Sequence, residues 1–184
     1  MSITLIAEPV SPDTFAPFGK LYNLRFDADC LPCAKSPCDK KNLDSGHGVV
    51  RSKGTDYTDG YTKRPLIDRP GNLGMTQTEA VPHDIIQMER HLHSEEAMMC
   101  AGWPVAFIVA PAGDVPAGLH AKAFILSPGQ VVVLYKGTWH SPAYGLDGPA
   151  AYYWMAEAYD GEPTVWMDVE GGPILLLAHS EGGV

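Results

Sequence analysis

Apolar residues along this chain fall into short blocks: AFIVA at 106–110, KAFIL at 122–126, QVVVLY at 130–135 and AAYYWMAEAY at 150–159. The blocks are rich in β-branched and aromatic types, which pack well on a pleated, half-buried surface. Between them Gly and Pro recur as SPG, APAGDVPAG, DGPA, DGEP and EGGP, the punctuation of strands joined by tight turns. Only residues 10–20 and 93–100 offer a helical apolar period of useful length. The pattern predicts an all-β chain, a small sandwich or barrel, with closure removing vulnerable strand edges. Residues 27–72 have another texture, polar, turn-rich and carrying most of the basic residues. They predict long loops around short strands laid over one end of the barrel. A chain of 184 residues can bury a real core, so the expected organisation is one domain, 1–184, with 27–72 as a loop-rich decoration.

Charge narrows the partners. Lys and Arg total 13 against 22 Asp and Glu, a formal net charge of -9, and no basic cluster is long enough to grip a phosphate backbone or an anionic bilayer. The expected partner is a small-molecule substrate, with no nucleic acid and no membrane. The opening MSITLIAEPVSP has no basic n-region, and later apolar runs are broken well before the roughly 20 residues of a membrane span. Cys30, Cys33, Cys38 and Cys100 without a secretory segment fit a reducing compartment, so a cytoplasmic location is expected. Cys30, Cys33 and Cys38 with His47 allow either a structural zinc or a reduced surface loop, and both stay open. Arg51, Lys53, Lys63, Arg64 and Arg69 put positive charge into the same long segment, where some of them would draw an anionic substrate to a cleft.

The candidate chemistry lies in IQMERHLH, residues 86–93. If this is one strand, alternation puts Gln87, Glu89, His91 and His93 on one face and Met88, Arg90 and Leu92 on the other. A return strand beginning near Glu95 would point Glu96, Met98 and Cys100 toward the same interior. Two imidazoles with one or two carboxylates on adjacent strands suit one divalent ion of borderline character, Ni, Mn, Fe or Zn. A solvated, ion-paired face is the alternative for Glu89 and His91. Met98, Met99 and Cys100 are expected to be apolar wall.

A second segment, SPGQVVVLYKGTWHSPAYG at 127–145, carries Gly129, Tyr135, Gly137 and His140 at intervals that resemble the second motif of the cupin superfamily, with Tyr135 at the usual proline. Glu89, His91, Glu96 and Gly102 then match the first cupin motif, with glutamate at the first histidine. The resemblance implies a cupin-type double-stranded β-helix, a jelly-roll barrel, and a metal quartet of Glu89, His91, Glu96 and His140. Within the superfamily, Glu89-Arg90-His91, Gly129-Gln130, Lys136-Gly137-Thr138-Trp139-His140-Ser141-Pro142 and the opening FAPFGK at 15–20 are similar to the ureidoglycolate lyase family. Four positions depart from that family: Leu92 stands for proline, Glu96 for glutamine, Lys136 for arginine and Ser141 for a second histidine. An added glutamate strengthens a site for a hard or borderline cation. Losing the second histidine and exchanging Arg for Lys alters groups that move protons or clamp carboxylates, so the fold can be shared where the substrate is not.

The family implies splitting of ureidoglycolate into glyoxylate and urea, and the expectation is a metal-dependent lyase cleaving a C–N bond in a small ureido- or hydroxy-carboxylate. His93, Lys136 and Tyr144 are the expected catalytic residues. His93 is a fifth ligand, a general base or rim; Lys136 pairs with a substrate carboxylate or sits in a surface turn; Tyr144, four residues after His140, would return to its face and offer a phenol at the pocket mouth. A sugar or sugar-acid isomerase or epimerase, or a non-catalytic binding cupin, are the alternatives, and dioxygenase chemistry is a weaker one. Small cupins often pair, so a homodimer is expected, with ILLLA at 174–178 as either covered surface or internal strand.

Overall fold

The computed structural model describes residues 3–25, 48–53, 55–157 and 164–178. Its strands are β1 (Ile3–Ile6), β2 (Glu8–Pro9), β3 (Gly19–Asn23), β4 (Val49–Lys53), β5 (Thr58–Thr62), β6 (Asn72–Thr78), β7 (His83–Ile85), β8 (Gln87–Arg90), β9 (Glu96–Cys100), β10 (Val105–Ala110), β11 (Lys122–Leu126), β12 (Gln130–Leu134), β13 (Trp139–His140), β14 (Tyr144–Gly145), β15 (Ala150–Ala156), β16 (Val165–Asp168) and β17 (Ile174–Leu177). One turn of helix, α1 (Pro12–Phe15), interrupts them, capped by Ser11, whose Oγ accepts the Thr14 N–H, with proline in its first turn. The fold is all-β and sheet-rich, as the apolar blocks predict.

Three layers of sheet carry the core. The central sheet runs β16-β8-β13-β10-β11-β2, with β14 also on β10; a five-stranded sheet runs β3-β12-β9-β15-β6; a smaller one runs β1-β17-β7; and β4 and β5 form a hairpin. Strand β10, VAFIVA, is buried at every position because both of its faces are covered. Val105, Phe107 and Val109 join Phe15, Phe18, Phe124 and Leu134 in a core between the central and five-stranded sheets. Ala106, Ile108 and Ala110 join Met88, Trp139, Ile174 and Leu176 in a second core beneath the small sheet. No ladder among the described residues joins the sheets into a closed barrel, so the expected jelly roll appears here as facing sheets.

Residues 96–100, where a helical period was legible, are strand β9. Both alternating sets of that strand are covered, Met98 and Cys100 by the inner core and Ala97 and Met99 by Ile67, Val131 and Val133 outside, so its composition shows no two-residue alternation to mark it as a strand. The motif FAPFGK forms the approach to β3. Gly19 lies so close to β12 that a Cβ there would stand 2.0 Å from the Val133 carbonyl oxygen. That contact excludes any side chain, and it seats β3 beside the strand that leads to His140.

Within 27–72, the short strands expected are β4 and β5; Cys30, Cys33, Cys38 and His47 lie outside the described residues. Arg51 is buried, and its guanidinium donates to the carbonyls of Asn23 and Arg25 at 2.6 and 3.0 Å. It pins the hairpin to the end of β3. No helix among the described residues is long and apolar enough to cross a membrane.

Candidate metal centre

The two ligand-bearing stretches meet in the central sheet. Strands β8 and β13 are antiparallel, with Glu89 directly opposite His140. Met88 turns outward into the second core and is fully buried, so Glu89 points inward, as alternation requires. The strand stops at Arg90 instead of continuing to His93. Beyond it the backbone bonds leave the ladder: the His91 carbonyl accepts the Gly137 N–H at 2.8 Å, and the Glu95 N–H donates to Asp68 Oδ1 at 3.0 Å. Gly137 makes that turn possible, with φ +79 in the left-handed region. Residues 91–95 therefore bend across the end of the sheets, and β9 restarts at Glu96.

This path brings one ligand atom each from Glu89, His91 and His140 within 4.8 Å of one another. Glu96, outside that set, places Oε2 2.8 Å from Nε2 of His91 and 2.8 Å from Nε2 of His140. Glu89 Oε1 lies 3.6 Å from His140 Nε2, and the two imidazoles are stacked with centroids 5.5 Å apart. His140 is 1% and Glu96 5% exposed, so these polar groups are held out of water. Glu96 Oε2 and His140 Nε2 are nevertheless buried without a hydrogen bond of acceptable geometry. Their mutual ion pair offsets part of the cost of burying them, and a bound ion would meet both atoms. Adjacent ligands on an ion with bonds of about 2.1 Å stand roughly 3 Å apart, close to the spacing seen. The donor set is two imidazole nitrogens and two carboxylates, and the cluster of Glu89, His91 and His140 could coordinate a borderline divalent ion.

The charges support that arrangement. Burial disfavours ionised Glu96, but the adjacent His140 and His91 outweigh it and hold the carboxyl down to about 2. Burial also disfavours protonated His140, yet Glu96 and Glu89 push it up to about 10. His140 Nδ1 faces the Thr138 carbonyl at 3.2 Å. Once the proton on Nε2 leaves, that contact keeps the lone pair of Nε2 aimed into the cluster. Thr138 is itself anchored, its hydroxyl donating to the Phe18 carbonyl at 3.1 Å. The N-terminal motif and the histidine motif are thus mechanically one support.

The expected catalytic residues are placed differently from one another. His93 lies half-buried in the bend after β8. Lys136 is half-exposed and its ammonium is 2.6 Å from Asp68 Oδ2, in a chain with the pair Lys20–Glu95 at 2.8 Å. Asp68 is held below the usual carboxylate range by the Glu95 N–H and by Lys136. Tyr144 does not return to the face of His140. His140 pairs with Val109 and Tyr144 with Ala106, so four steps on one strand match three on β10. This one-residue bulge reverses the alternation and sends Tyr144 into the second core, stacked on His83 at 4.1 Å. Ser141 manages the bulge: its hydroxyl accepts the Ile108 N–H at 3.0 Å while its own N–H donates to the Ile108 carbonyl at 2.9 Å.

Two further residues flank the cluster. Tyr152 is buried on β15, opposite Cys100 and thus on the face that β9 uses for Met98 and Glu96. Burial raises its phenol well above the ordinary value, with Thr76 bonded to it and the charges of Glu96 and Glu89 adding to the shift. Trp166 stands directly opposite Glu89 and is 45% exposed, giving the site an aromatic flank. The alternation of AAYYWMAEAY could have singled out Tyr152; nothing in VWMD marked Trp166. A cleft of about 230 Å³ lined by Trp103, Pro104, Leu146, Asp147 and Pro149 lies where β9 ends and β15 begins, the end of the strands away from Glu96.

Comparison with known proteins fits these motifs. The family model described as ureidoglycolate lyase matches residues 2–170, and the chain belongs to that family. It is 28% identical over 159 residues to a ureidoglycolate lyase of Burkholderia mallei, covering 86% of this chain and 85% of that one. It is 27% identical over 148 residues to a ureidoglycolate lyase of Pseudomonas syringae, covering 78% and 76%. Among solved structures, dTDP-4-dehydrorhamnose 3,5-epimerase from Elizabethkingia anophelis aligns with TM-score 0.44 at 8% identity, over 63% of this chain and 72% of that one.

Proposed function

We propose that this member of the ureidoglycolate lyase family is a metal-dependent lyase that cleaves a C–N bond in a small ureido- or hydroxy-carboxylate, on a cupin-type jelly roll. The observation that carries the reading is the convergence of partly buried Glu89 and His91 with buried His140, with Glu96 against both imidazoles and two polar atoms left without hydrogen bonds. Glu89, His91, Glu96 and His140 would hold one divalent ion, Ni, Mn, Fe or Zn. Such an ion supplies Lewis-acid stabilisation of negative charge on a substrate oxygen.

The chain's own groups would do the rest. In a lyase reaction of this class the substrate hydroxyl loses a proton, its C–O bond becomes a carbonyl, and the C–N bond breaks while the departing nitrogen gains a proton. His93, two residues beyond the ligand His91 in the bend, would accept or return that proton. Lys136 would bind the substrate carboxylate in exchange for Asp68. Tyr144, facing the second core, is given no role. Tyr152, with its phenol kept protonated by burial, is a donor rather than a base. A cytoplasmic homodimer belongs to the same proposal.

The extra carboxylate favours a second reading. Glu96 brings a negative charge where the family has glutamine, and that suits a less charged, polyhydroxylated substrate, such as a sugar or sugar acid undergoing isomerisation or epimerisation. Metal content of protein purified without added metal or chelator, repeated for His91→Ala and His140→Ala, tests the site. About one ion per chain, lost in both variants, followed by release of glyoxylate and urea from ureidoglycolate, is the expected result. Wild-type protein that stays empty after metal addition overturns the metal mechanism; metal binding without that release moves the substrate to the second reading.

A further inference from the structure

The strands that present Glu89 and His140 share one residue pair, and β13 is two residues long. A ladder that short does not secure its register, and a one-residue slip would turn His140 away from the site. The contact that spans these strands lies on the opposite face. Arg90, next to Glu89, lays its guanidinium over the indole of Trp139, next to His140, with 4.5 Å between guanidinium carbon and ring centroid. Both side chains then donate to one acceptor, the Gly113 carbonyl: Trp139 through Nε1 at 3.0 Å, and Arg90 through a terminal guanidinium nitrogen. Trp139 is fully buried, and Arg90 Nε is buried with no hydrogen-bond partner. Leaving Nε unsatisfied is unfavourable, so the stacking on Trp139 and the bond to the Gly113 carbonyl must together hold Arg90 in this pose.

We propose that Arg90, Trp139 and the Gly113 carbonyl form a clamp that positions the metal ligands from behind the sheet, with Arg90 acting as a positioning residue. The inference rests on the metal reading above. Arg90 bridges the ligands it separates: it stands between Glu89 and His91 in sequence and is stacked on the residue that precedes His140. A planar guanidinium can stack on the indole and donate to the carbonyl in one geometry, which an ammonium cannot reproduce. Outer-shell groups that hydrogen-bond metal ligands are typically worth about 10–100-fold in metal affinity, and the clamp acts on the ligands one step further out, through the backbone of β8 and β13.

The test compares wild-type protein with Arg90→Met and Arg90→Lys, using Co(II) as the probe. Affinity is measured by chelator competition, the visible Co(II) spectrum reports ligand geometry, and thermal unfolding of the metal-free proteins reports stability. The clamp predicts about 10-fold or greater loss of Co(II) affinity and a changed spectrum in Arg90→Met, with a smaller loss in Arg90→Lys. If both variants bind Co(II) with wild-type affinity and spectrum while only their melting temperatures fall, Arg90 is structural and the inference is overturned. If Arg90→Met does not fold, Arg90→Lys decides alone, a wild-type affinity and spectrum counting against the clamp. If wild-type protein itself binds no Co(II), the metal reading fails first and the clamp falls with it.

Discussion

Metal binding to this site should be coupled to the loss of a proton, and the coupling has a definite size. In the metal-free chain His140 is charged at neutral pH, because Glu96 and Glu89 outweigh the cost of burying it and push its pKa up to about 10. A divalent ion needs the neutral imidazole, so each binding event must expel the proton on Nε2. Glu96, held down to about 2 by the two histidines, is already ionised over the working range and releases none. One proton released makes the apparent dissociation constant fall tenfold per pH unit below the His140 pKa. From pH 6 to pH 8 that is about 100-fold, or roughly 2.7 kcal/mol. Protons leaving other ligands would steepen the slope. Chelator competition across that range gives the slope, and titration calorimetry in two buffers of different ionisation enthalpy counts the protons. An affinity flat between pH 6 and pH 8, with no proton released, would falsify the assignment of His140 as both charged in the empty site and a ligand in the filled one.

Three further outcomes follow from the same contacts. The raised pKa of His140 contributes stability to the metal-free protein that is full below its ordinary value of 6.5 and lost as pH rises through about 10; the depressed pKa of Glu96 contributes stability that is full above 4.5 and lost as pH falls through about 2. Thermal melts of metal-free protein should therefore lose stability on both sides of roughly pH 4.5–6.5, and Glu96→Gln should weaken the alkaline limb; an unchanged limb would remove Glu96 as the partner of His140. Ser141→Ala strands the buried Ile108 N–H and should cost about 1–3 kcal/mol in urea unfolding, while metal stoichiometry is kept. Gly19→Ala forces a methyl group against the Val133 carbonyl and should destabilise by at least about 1–3 kcal/mol, whereas a neutral result would mean that β3 can move off β12.

What the sequence revealed depended on whether a residue's role was local. Strands β10, β11, β12 and β15 were legible because their composition follows from burial within each strand. Glu89, His91 and His140 were legible because motif spacing carries them. Tyr144 was misplaced because its face depends on the one-residue bulge at Ser141–Ala143, and that bulge is visible only when the ladder is read against β10. The strand through His93 was overextended because its end is set by partners far away in sequence, Gly137 and Asp68. Arg51 was legible only as one of five basic residues in the long segment; the carbonyls it holds, on Asn23 and Arg25, have no sequence signature. Trp166 joins the site only through cross-strand register, and register also decides that the inward face of β15, legible at Tyr152, meets the one β9 uses for Glu96.

The departures from the family pattern sort by what they touch. Ser141, at the position of a histidine, is fully buried and works as a backbone partner that holds the bulge, so the exchange removes an imidazole and leaves a hydroxyl bonded to the Ile108 N–H. Lys136, at the position of an arginine, is tied to Asp68, which in turn holds the backbone beside Glu96. Glu96 changes the charge. Two carboxylates and a divalent ion with two neutral imidazoles sum to zero, whereas glutamine at this position would leave one positive charge for an incoming carboxylate. Attraction for an anionic substrate is therefore weaker by one elementary charge at contact distance, and an interaction of that kind is large where water is excluded. That loss of attraction is what favours the second, less charged substrate class, and the ureidoglycolate assay decides between the two readings.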